Sequence, residues 1–87
     1  MSKQIFSIPK SSREKVVFSF SEFKGKDYLD MRIFVVSDNG GQDIPTKKGL
    51  TIGINLYPNF REGLRQVEAA MIQEGWLDRE DLEPQSG

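Results

Sequence analysis

The hydrophobic pattern of this chain changes its period once, between residues 54 and 60. From residue 15 to residue 54, apolar and polar side chains alternate in short runs, a pattern typical of strands with one buried face. From residue 60 onward the apolar side chains recur at the spacing of one face of an α-helix. They are Phe60, Leu64, Val67 and Met71. This order predicts the α+β class, a four-stranded antiparallel sheet followed by one C-terminal amphipathic helix.

Turn-forming residues divide the alternating region into four predicted strands. These strands cover 15–21, 27–37, 42–46 and 50–54. Gly25 predicts a hairpin turn over 24–27, and Asp-Asn-Gly-Gly at 38–41 predicts a second turn. Because Pro45 cannot donate to a strand ladder, we expect 42–46 to be an edge strand.

Capping residues mark both ends of the predicted helix. Pro58 suits a first helical turn, and Asn59 with Glu62 has the spacing of a capping box. Gly75 predicts the C-terminal cap.

Charge is distributed unevenly along the 87 residues, which suffice for one domain. The first 26 residues hold six lysine or arginine residues and two glutamates, whereas 78–87 holds four carboxylates and one arginine. We therefore predict an N-terminal arm of unassigned structure at 1–14, a single ββββα domain at 15–77 and an acidic tail at 78–87. Such asymmetry is compatible with a body that binds anions.

Composition excludes several classes of chemistry. Without cysteine or histidine the chain has no disulfide framework, no Cys/His zinc site and no histidine relay. We expect no enzyme activity, no catalytic residues, no metal and no cofactor. No apolar run approaches the roughly 18 residues of a membrane span, and the N-terminus lacks a signal-peptide apolar region. We expect no membrane partner and a cytoplasmic location in a bacterial or phage-infected cell, or a nuclear one in a eukaryote.

One face of the predicted sheet combines aromatic rings with cations. The alternation places the most apolar positions, such as Phe18 and Met31, on the face that the helix would cover. The opposite face carries Lys15, Ser19, Phe23, Tyr28, Arg32 and Phe34. Rings interleaved with Lys and Arg on an open sheet are the typical platform for single-stranded nucleic acid, since bases stack on rings and cations follow the phosphates.

Three motifs in this region resemble the transcriptional positive cofactor four family. They are Phe23-Lys24-Gly25-Lys26, Asp30-Met31-Arg32 and Lys47-Lys48-Gly49. An opening Phe6-Ser7-Ile8-Pro9-Lys10 segment is similar as well, and the resemblance covers about 5–74. It implies a homodimer whose curved sheets bind single-stranded DNA with little sequence preference. The segment at 53–56 is extra relative to the family and is predicted as either an extended strand or a wider loop.

The resemblance also implies roles for individual residues. Phe23 takes the position of the first stacking ring. The implied backbone contacts are Lys24, Lys26, Arg32, Lys47 or Lys48, and Lys10. The second stacking tryptophan of the family falls on Val35 here, and the nearest ring is Phe34, for which stacking and core roles both remain open. For Arg32 the alternative is a local ion pair with Asp30.

Two functional hypotheses follow. In the first, the protein binds single-stranded DNA or RNA in transcription, replication or recombination, with itself and proteins of those processes as partners. In the second, it is a dimeric protein–protein interaction module that uses the open sheet face without touching nucleic acid. In both, the helix stripe serves as core or dimer seam. Salt separates the two, because phosphate binding falls steeply with ionic strength and apolar binding does not.

Overall fold

The computed structural model describes residues 3–84. Its strands are β1 (Lys3–Pro9), β2 (Glu14–Phe23), β3 (Lys26–Val35) and β4 (Ile44–Gly53), and its helix is α1 (Tyr57–Gln73). The strands form one antiparallel sheet in the order β1-β2-β3-β4. The predicted class, four antiparallel strands followed by one C-terminal helix, is confirmed. Residues 1–2 of the predicted arm and 85–87 of the predicted tail lie outside the described residues.

The chain divides into two compact units, a sheet unit that ends at Asn55 and a helical unit that begins at Leu56. A short 3₁₀ turn, Ile54–Leu56, follows β4 at this division. The extra segment at 53–56 is therefore the end of β4 and a 3₁₀ turn. No helix within residues 3–84 is both long and apolar enough to cross a membrane.

The predicted division of the sheet into strands is partly wrong. The predicted strands at 42–46 and 50–54 belong to one strand, β4, which runs from Ile44 to Gly53. The polar Lys47-Lys48-Gly49 segment suggests a break between two strands, but β4 continues through it with a bulge at 46–48, where the register with β3 shifts between Arg32 and Phe34. A bulge interrupts alternation without ending the strand, so the pattern indicates two strands where there is one.

The remaining strand comes from the predicted arm. β1 pairs with β2 through Phe6 opposite Phe18 and Ile8 opposite Val16. The two phenylalanine rings have centroids 6.1 Å apart. The register shifts between Gln4 and Phe6, which leaves Ile5 without a direct partner. Because of this irregularity two bulky apolar residues, Ile5 and Phe6, are adjacent, and the period-two pattern that predicts a strand is lost.

The start of α1 differs from the prediction. The N-cap position is Leu56, which makes no side-chain capping bond, and Pro58 lies in the first turn as expected. The predicted capping box of Asn59 and Glu62 is wrong, because both residues lie inside the helix. Glu62 instead accepts a hydrogen bond of 2.8 Å from Gln66 Nε2, one turn further along.

The end of α1 matches the prediction. Gly75 has a φ of 79°, in the left-handed region that favours glycine. Its N–H donates to the Ile72 carbonyl and the Trp76 N–H donates to the Met71 carbonyl, each at 3.0 Å. These two bonds form a Schellman motif, which confirms Gly75 as the C-terminal cap. A second 3₁₀ turn, Arg79–Leu82, follows in the acidic tail, capped reciprocally by Asp78 and Asp81.

Little of the described chain is buried. Within residues 3–84, Val17 is the one fully buried side chain, at 2% exposure. In the helix stripe, Leu64 and Val67 are 54% and 53% exposed, while Phe60 and Met71 are half-buried. A single copy of the chain therefore leaves much apolar surface in contact with water, at a free-energy cost of about 25 cal/mol per Å².

Candidate nucleic-acid interface

The register of β2 with β3 defines one face of the sheet. Residues that pair directly across antiparallel strands project to the same face. The pairs on this face are Lys15–Phe34, Val17–Arg32, Ser19–Asp30, Ser21–Tyr28 and Phe23–Lys26. This surface, called the site face below, gathers the rings and cations that the alternation placed together, so their shared face is confirmed. That the helix covers the opposite face stays a prediction.

One end of the site face is the turn between β2 and β3. Lys24 and Gly25 have φ angles of 52° and 77°. Two successive positive φ angles are characteristic of the type I′ turn, which matches the twist of the flanking strands. The turn places Phe23 and Lys26 opposite each other. A tight turn at this point leaves the side chains on both sides of it open to solvent.

Phe23 is exposed and surrounded by cations. The residue has 62% of its surface exposed, and Lys24 Nζ lies 5.3 Å from its ring centroid. An exposed cation–π contact of this kind is worth about 0.5–1 kcal/mol, so an incoming base can displace it. Among the ion pairs of residues 3–84, none uses Lys24 or Lys26. This end of the site face therefore offers a ring and two available positive charges.

Arg32 lies near the middle of the site face and is held by side chains around it. Its Nε donates to Asp30 Oδ2 at 3.0 Å, and its Nη2 donates to Asp30 Oδ1 at 2.8 Å. Nη2 also donates to Thr51 Oγ1 at 3.3 Å, and Thr51 Oγ1 donates to Asp30 Oδ1 at 2.6 Å. The alternative of a local ion pair thus describes the observed geometry, which is bidentate.

The ion pair shifts the titration of both partners. The hydrogen bonds from Arg32 lower the pKa of the Asp30 carboxyl, with a smaller lowering by Thr51 and an opposing effect of burial. The same hydrogen bonds raise the pKa of Arg32. The side chains are 26% exposed for Arg32 and 16% for Asp30, so this pair is more sheltered from solvent than the ion pair of Lys10 with Glu14.

The bulge of β4 lies beside Arg32. Between the pairs Arg32–Gly49 and Phe34–Pro45, β3 has one residue and β4 has three, at 46–48. Arg32 Nη1 donates to the Thr46 carbonyl at 3.0 Å. Thr46 Oγ1 donates to the Ile33 carbonyl at 2.8 Å and accepts from the Lys48 N–H at 3.2 Å. Side-chain hydrogen bonds therefore define the backbone path of this bulge.

Gly49 is required where the bulge rejoins the ladder. A Cβ atom there would lie 2.6 Å from the Met31 carbonyl oxygen and 3.0 Å from Arg32 Cα. A Cβ atom 2.6 Å from a backbone oxygen does not occur in real structures, so the backbone would have to move. The bulge exposes Lys47 and Lys48, and neither takes part in an ion pair within residues 3–84.

Two further lysines form ion pairs, Lys10, which is predicted as a phosphate contact, and Lys15, which lies on the site face. Lys10 Nζ lies 3.2 Å from Glu14 Oε1 on the surface, an interaction worth about 0–1 kcal/mol that a phosphate can replace. Lys15 Nζ lies 2.6 Å from Asp43 Oδ2. The hydrogen bond from Lys15, followed by one from the Ser37 N–H, lowers the pKa of Asp43. Lys15 therefore ties β2 to the segment that leads into β4.

Phe34 lies far from Phe23. The two rings belong to pairs separated by eight residues along the strands, or about 26 Å. Phe34 is half-buried opposite Lys15 and Pro45. Tyr28, which also projects from the site face, is half-buried and diagonal to Phe23 across the ladder. Diagonal neighbours lie about 7–8 Å apart, which makes Tyr28 the nearer candidate for a second ring.

Sequence reasoning misses the residues that shape the bulge. Thr46 and Thr51 carry no feature of composition or spacing that marks them, because their partners on β3 are 13 to 21 residues away. Tyr28 is placed on the correct face by alternation, but without a role. Its proximity to Phe23 could be found from the hairpin register, which the turn at Lys24-Gly25 fixes.

The fold and this face define a class of small α+β proteins with an open, cation-bearing sheet. The family model described as Transcriptional Coactivator p15 (PC4) matches residues 10–63, more than half of the chain, and the chain belongs to this family. The resemblance found in the three motifs is confirmed. No curated protein matches the chain.

Solved structures of PC4 homologues are similar to this chain. The homologue from Burkholderia pseudomallei K96243 in its orthorhombic form is 28% identical, with a TM-score of 0.70 over 77% of this chain and 89% of that one. Its tetragonal form gives 28% identity and a TM-score of 0.69 over 78% and 98%. The bacteriophage T5 homologue is 21% identical, with a TM-score of 0.57 over 86% and 83%, and shares the fold.

Proposed function

We propose that this protein binds single-stranded DNA with little sequence preference, stacking bases on the site face and neutralising phosphates with lysines. The observation that carries the proposal is the exposed Phe23 ring between Lys24 and Lys26 at an open end of the sheet. An exposed hydrophobic ring does not stabilise the fold, whereas a base that stacks on it contributes about 1–3 kcal/mol to the binding free energy. Every base has a π-face, so stacking gives little sequence preference.

The phosphate contacts are assigned to the lysines outside ion pairs. They are Lys24 and Lys26 at the turn and Lys47 and Lys48 at the bulge. Lys10 joins them by exchanging its surface pair with Glu14 for a phosphate. Bases in a duplex cannot be splayed onto a ring, so single strands are favoured over duplex DNA. RNA single strands offer the same rings and phosphates and belong in the same assay.

We also propose that the protein acts as a homodimer. Apolar side chains of both units are exposed, including Phe6 and Phe20 in the sheet and Leu64 and Val67 in the helix. A chain of this size buries only about 60% of its unfolded surface, so a second copy adds the missing apolar contacts. Closed two-fold dimers are the commonest arrangement. Light scattering at micromolar concentration should give about twice 9.9 kDa, and a stable monomer would contradict the dimer.

The relatives support a proposal for the biological setting. The family is one of transcriptional coactivators, and the phage T5 homologue is implicated in recombination-dependent DNA replication. Transcription, replication and recombination all expose single strands. We propose that this protein holds such strands for the proteins of those processes in the cytoplasm of a bacterial or phage-infected cell, as a binding protein and not as an enzyme.

Fluorescence anisotropy with labelled single-stranded and duplex oligonucleotides across a salt series tests the proposal. Phe23→Ala should weaken single-strand binding by about 1–3 kcal/mol per base affected and leave the salt dependence unchanged. Trp76→Ala is the matched control, because Trp76 is 75% exposed and belongs to the helical unit, outside the site face. Equal binding by Phe23→Ala and the parent protein would refute the site. If the protein does not bind DNA but binds a protein partner with an affinity that changes little with salt, the interaction module would be favoured.

A further inference from the structure

We propose that Arg32 is a positioning residue, which aims Lys47 and Lys48 at the phosphates and does not itself bind them. This inference rests on the proposed single-strand binding and departs from the role that the resemblance implies for Arg32. Three observations carry it: the use of the guanidinium donors, the link from Arg32 to the bulge, and the charge balance with Asp30.

The guanidinium has little capacity left for a phosphate. Arginine has five N–H donors. Four hydrogen bonds already engage Arg32, two to Asp30, one to Thr51 Oγ1 and one to the Thr46 carbonyl. The edge formed by Nε and Nη2, which suits bidentate binding of an oxyanion, is occupied by the Asp30 carboxylate. A phosphate would have to displace this carboxylate.

The charge balance points the same way. The Asp30 carboxylate lies 2.8 Å from Arg32 Nη2 and cancels the positive charge at this point of the site face. Within residues 3–84, each of the lysines at 24, 26, 47 and 48 lacks such a partner. The net attraction for phosphates therefore comes from the turn and the bulge on either side of Arg32.

The link from Arg32 to the lysines runs through Thr46. Arg32 Nη1 holds the Thr46 carbonyl, and Thr46 Oγ1 holds both the Ile33 carbonyl and the Lys48 N–H. Arg32, itself held by Asp30, thus fixes the carbonyl of Thr46, and the hydroxyl of Thr46 ties the bulge to β3 and to the backbone of Lys48. A three-residue bulge without these bonds has several backbone paths, and the positions of the two lysines would no longer be fixed.

Asp30→Asn separates positioning from direct binding, because the two roles predict opposite signs. If Arg32 binds phosphate directly, this change releases it, and both affinity and salt slope rise. If Arg32 is a positioning residue, the change removes its anchor, and both fall. Asp27→Asn is the matched control for the added net charge, since Asp27 is exposed and forms no ion pair within residues 3–84.

Binding of a labelled single-stranded oligonucleotide by the full chain is measured across a salt series for both variants. We expect Asp30→Asn to bind more weakly than Asp27→Asn, with a slope of log K against log salt smaller by about 0.7 for each phosphate that a lysine no longer neutralises. Binding equal to or tighter than that of Asp27→Asn would overturn the inference. Circular dichroism at the assay temperature confirms that each variant is folded.

Thr46→Val tests the link without altering charge and covers the case in which Asp30→Asn fails to fold. It removes the hydroxyl that bonds Ile33 and Lys48 and keeps the side-chain shape. We expect the salt slope to shrink by about 0.7 to 1.4, the range for one or two phosphates. An unchanged slope would overturn the inference, since a lower stability alone does not alter the number of phosphates that the folded protein neutralises.

A double-mutant cycle supplies the last discrimination. Arg32→Gln is made in the parent and in a Lys47→Ala/Lys48→Ala background. If Arg32 acts through the lysines, its substitution leaves the slope of that background unchanged, and the two effects are non-additive. A further decrease of about 0.7 in the background would assign Arg32 to direct phosphate binding. Failure of the parent protein to prefer single strands refutes the proposed function itself, whereas normal parent binding with additive variants refutes only the positioning role.

Discussion

The turn at Lys24-Gly25 and the bulge at 46–48 both present lysines, but by different means. At the turn, two positive φ angles and a direct strand pair place the side chains, and neighbours in sequence supply the geometry. At the bulge, Arg32 and Thr46 hold the backbone through side-chain hydrogen bonds between residues 13 and 14 positions apart. The turn therefore depends on local conformation, and the bulge depends on the assembled sheet.

This difference decides how each region responds to change. A turn built from backbone torsion tolerates replacement of any side chain that accepts the same φ. A bulge built from side-chain bonds and one close approach fails when a single group is altered, because no local preference restores it. Each region presents two lysines. Their placement tolerates most substitutions at the turn, whereas at the bulge it depends on a few side-chain hydrogen bonds.

The largest effect is expected at Gly49. A methyl group at this position would meet the Met31 carbonyl at 2.6 Å, so Gly49→Ala should lower the free energy of unfolding by about 1–3 kcal/mol. Gly63→Ala is the control, because it meets no atom within 4 Å and lies inside α1, where alanine is favoured by about 0.5–1 kcal/mol. Urea denaturation measures both. If Gly49→Ala is as stable as the parent protein, the bulge adapts to a side chain at this position and the expectation is wrong.

A smaller effect is expected from acid at the Arg32–Asp30 pair. The pKa of Asp30 is lowered in the folded protein, so the pair contributes stability above the unfolded pKa of about 3.9. That stability is lost as pH falls through the lower, folded pKa. Asp30→Asn should therefore cost about 1.5 kcal/mol at pH 7, and its difference from the parent should shrink below about pH 4.

Urea denaturation of the parent and Asp30→Asn between about pH 7 and pH 2.5 checks this expectation, with Asp27→Asn as the control. A difference that stays constant down to the lowest pH would show that the pair does not stabilise the bulge through charge.

Sequence reasoning succeeds where structure is local. Alternation assigns the faces of β2 and β3, and Gly25 and Gly75 mark a turn and a helix end because each adopts a positive φ. It fails where a bulge interrupts the period. The extra residue Ile5 interrupts the alternation in β1, so that strand is not predicted. The three residues at 46–48 interrupt the alternation in β4, so one strand is predicted as two. The role of Thr46 could not be predicted, since its partners become neighbours only after β3 and β4 pair.

The smallest expected effect lies at the turn and concerns Lys24. Its φ of 52° is a left-handed conformation that costs a lysine about 1–2 kcal/mol, whereas asparagine is favoured at the first central position of a type I′ turn before glycine. The strained conformation of Lys24 makes its charge a candidate for phosphate binding, which its replacement can test. Lys24→Asn should raise the free energy of unfolding by up to about 1 kcal/mol and reduce the salt slope of single-strand binding by about 0.7. Lys3→Asn, on an edge strand, is the control and should change neither quantity. If Lys24→Asn stabilises the fold and binds as the parent does, the turn is a structural device and phosphate binding lies with the bulge.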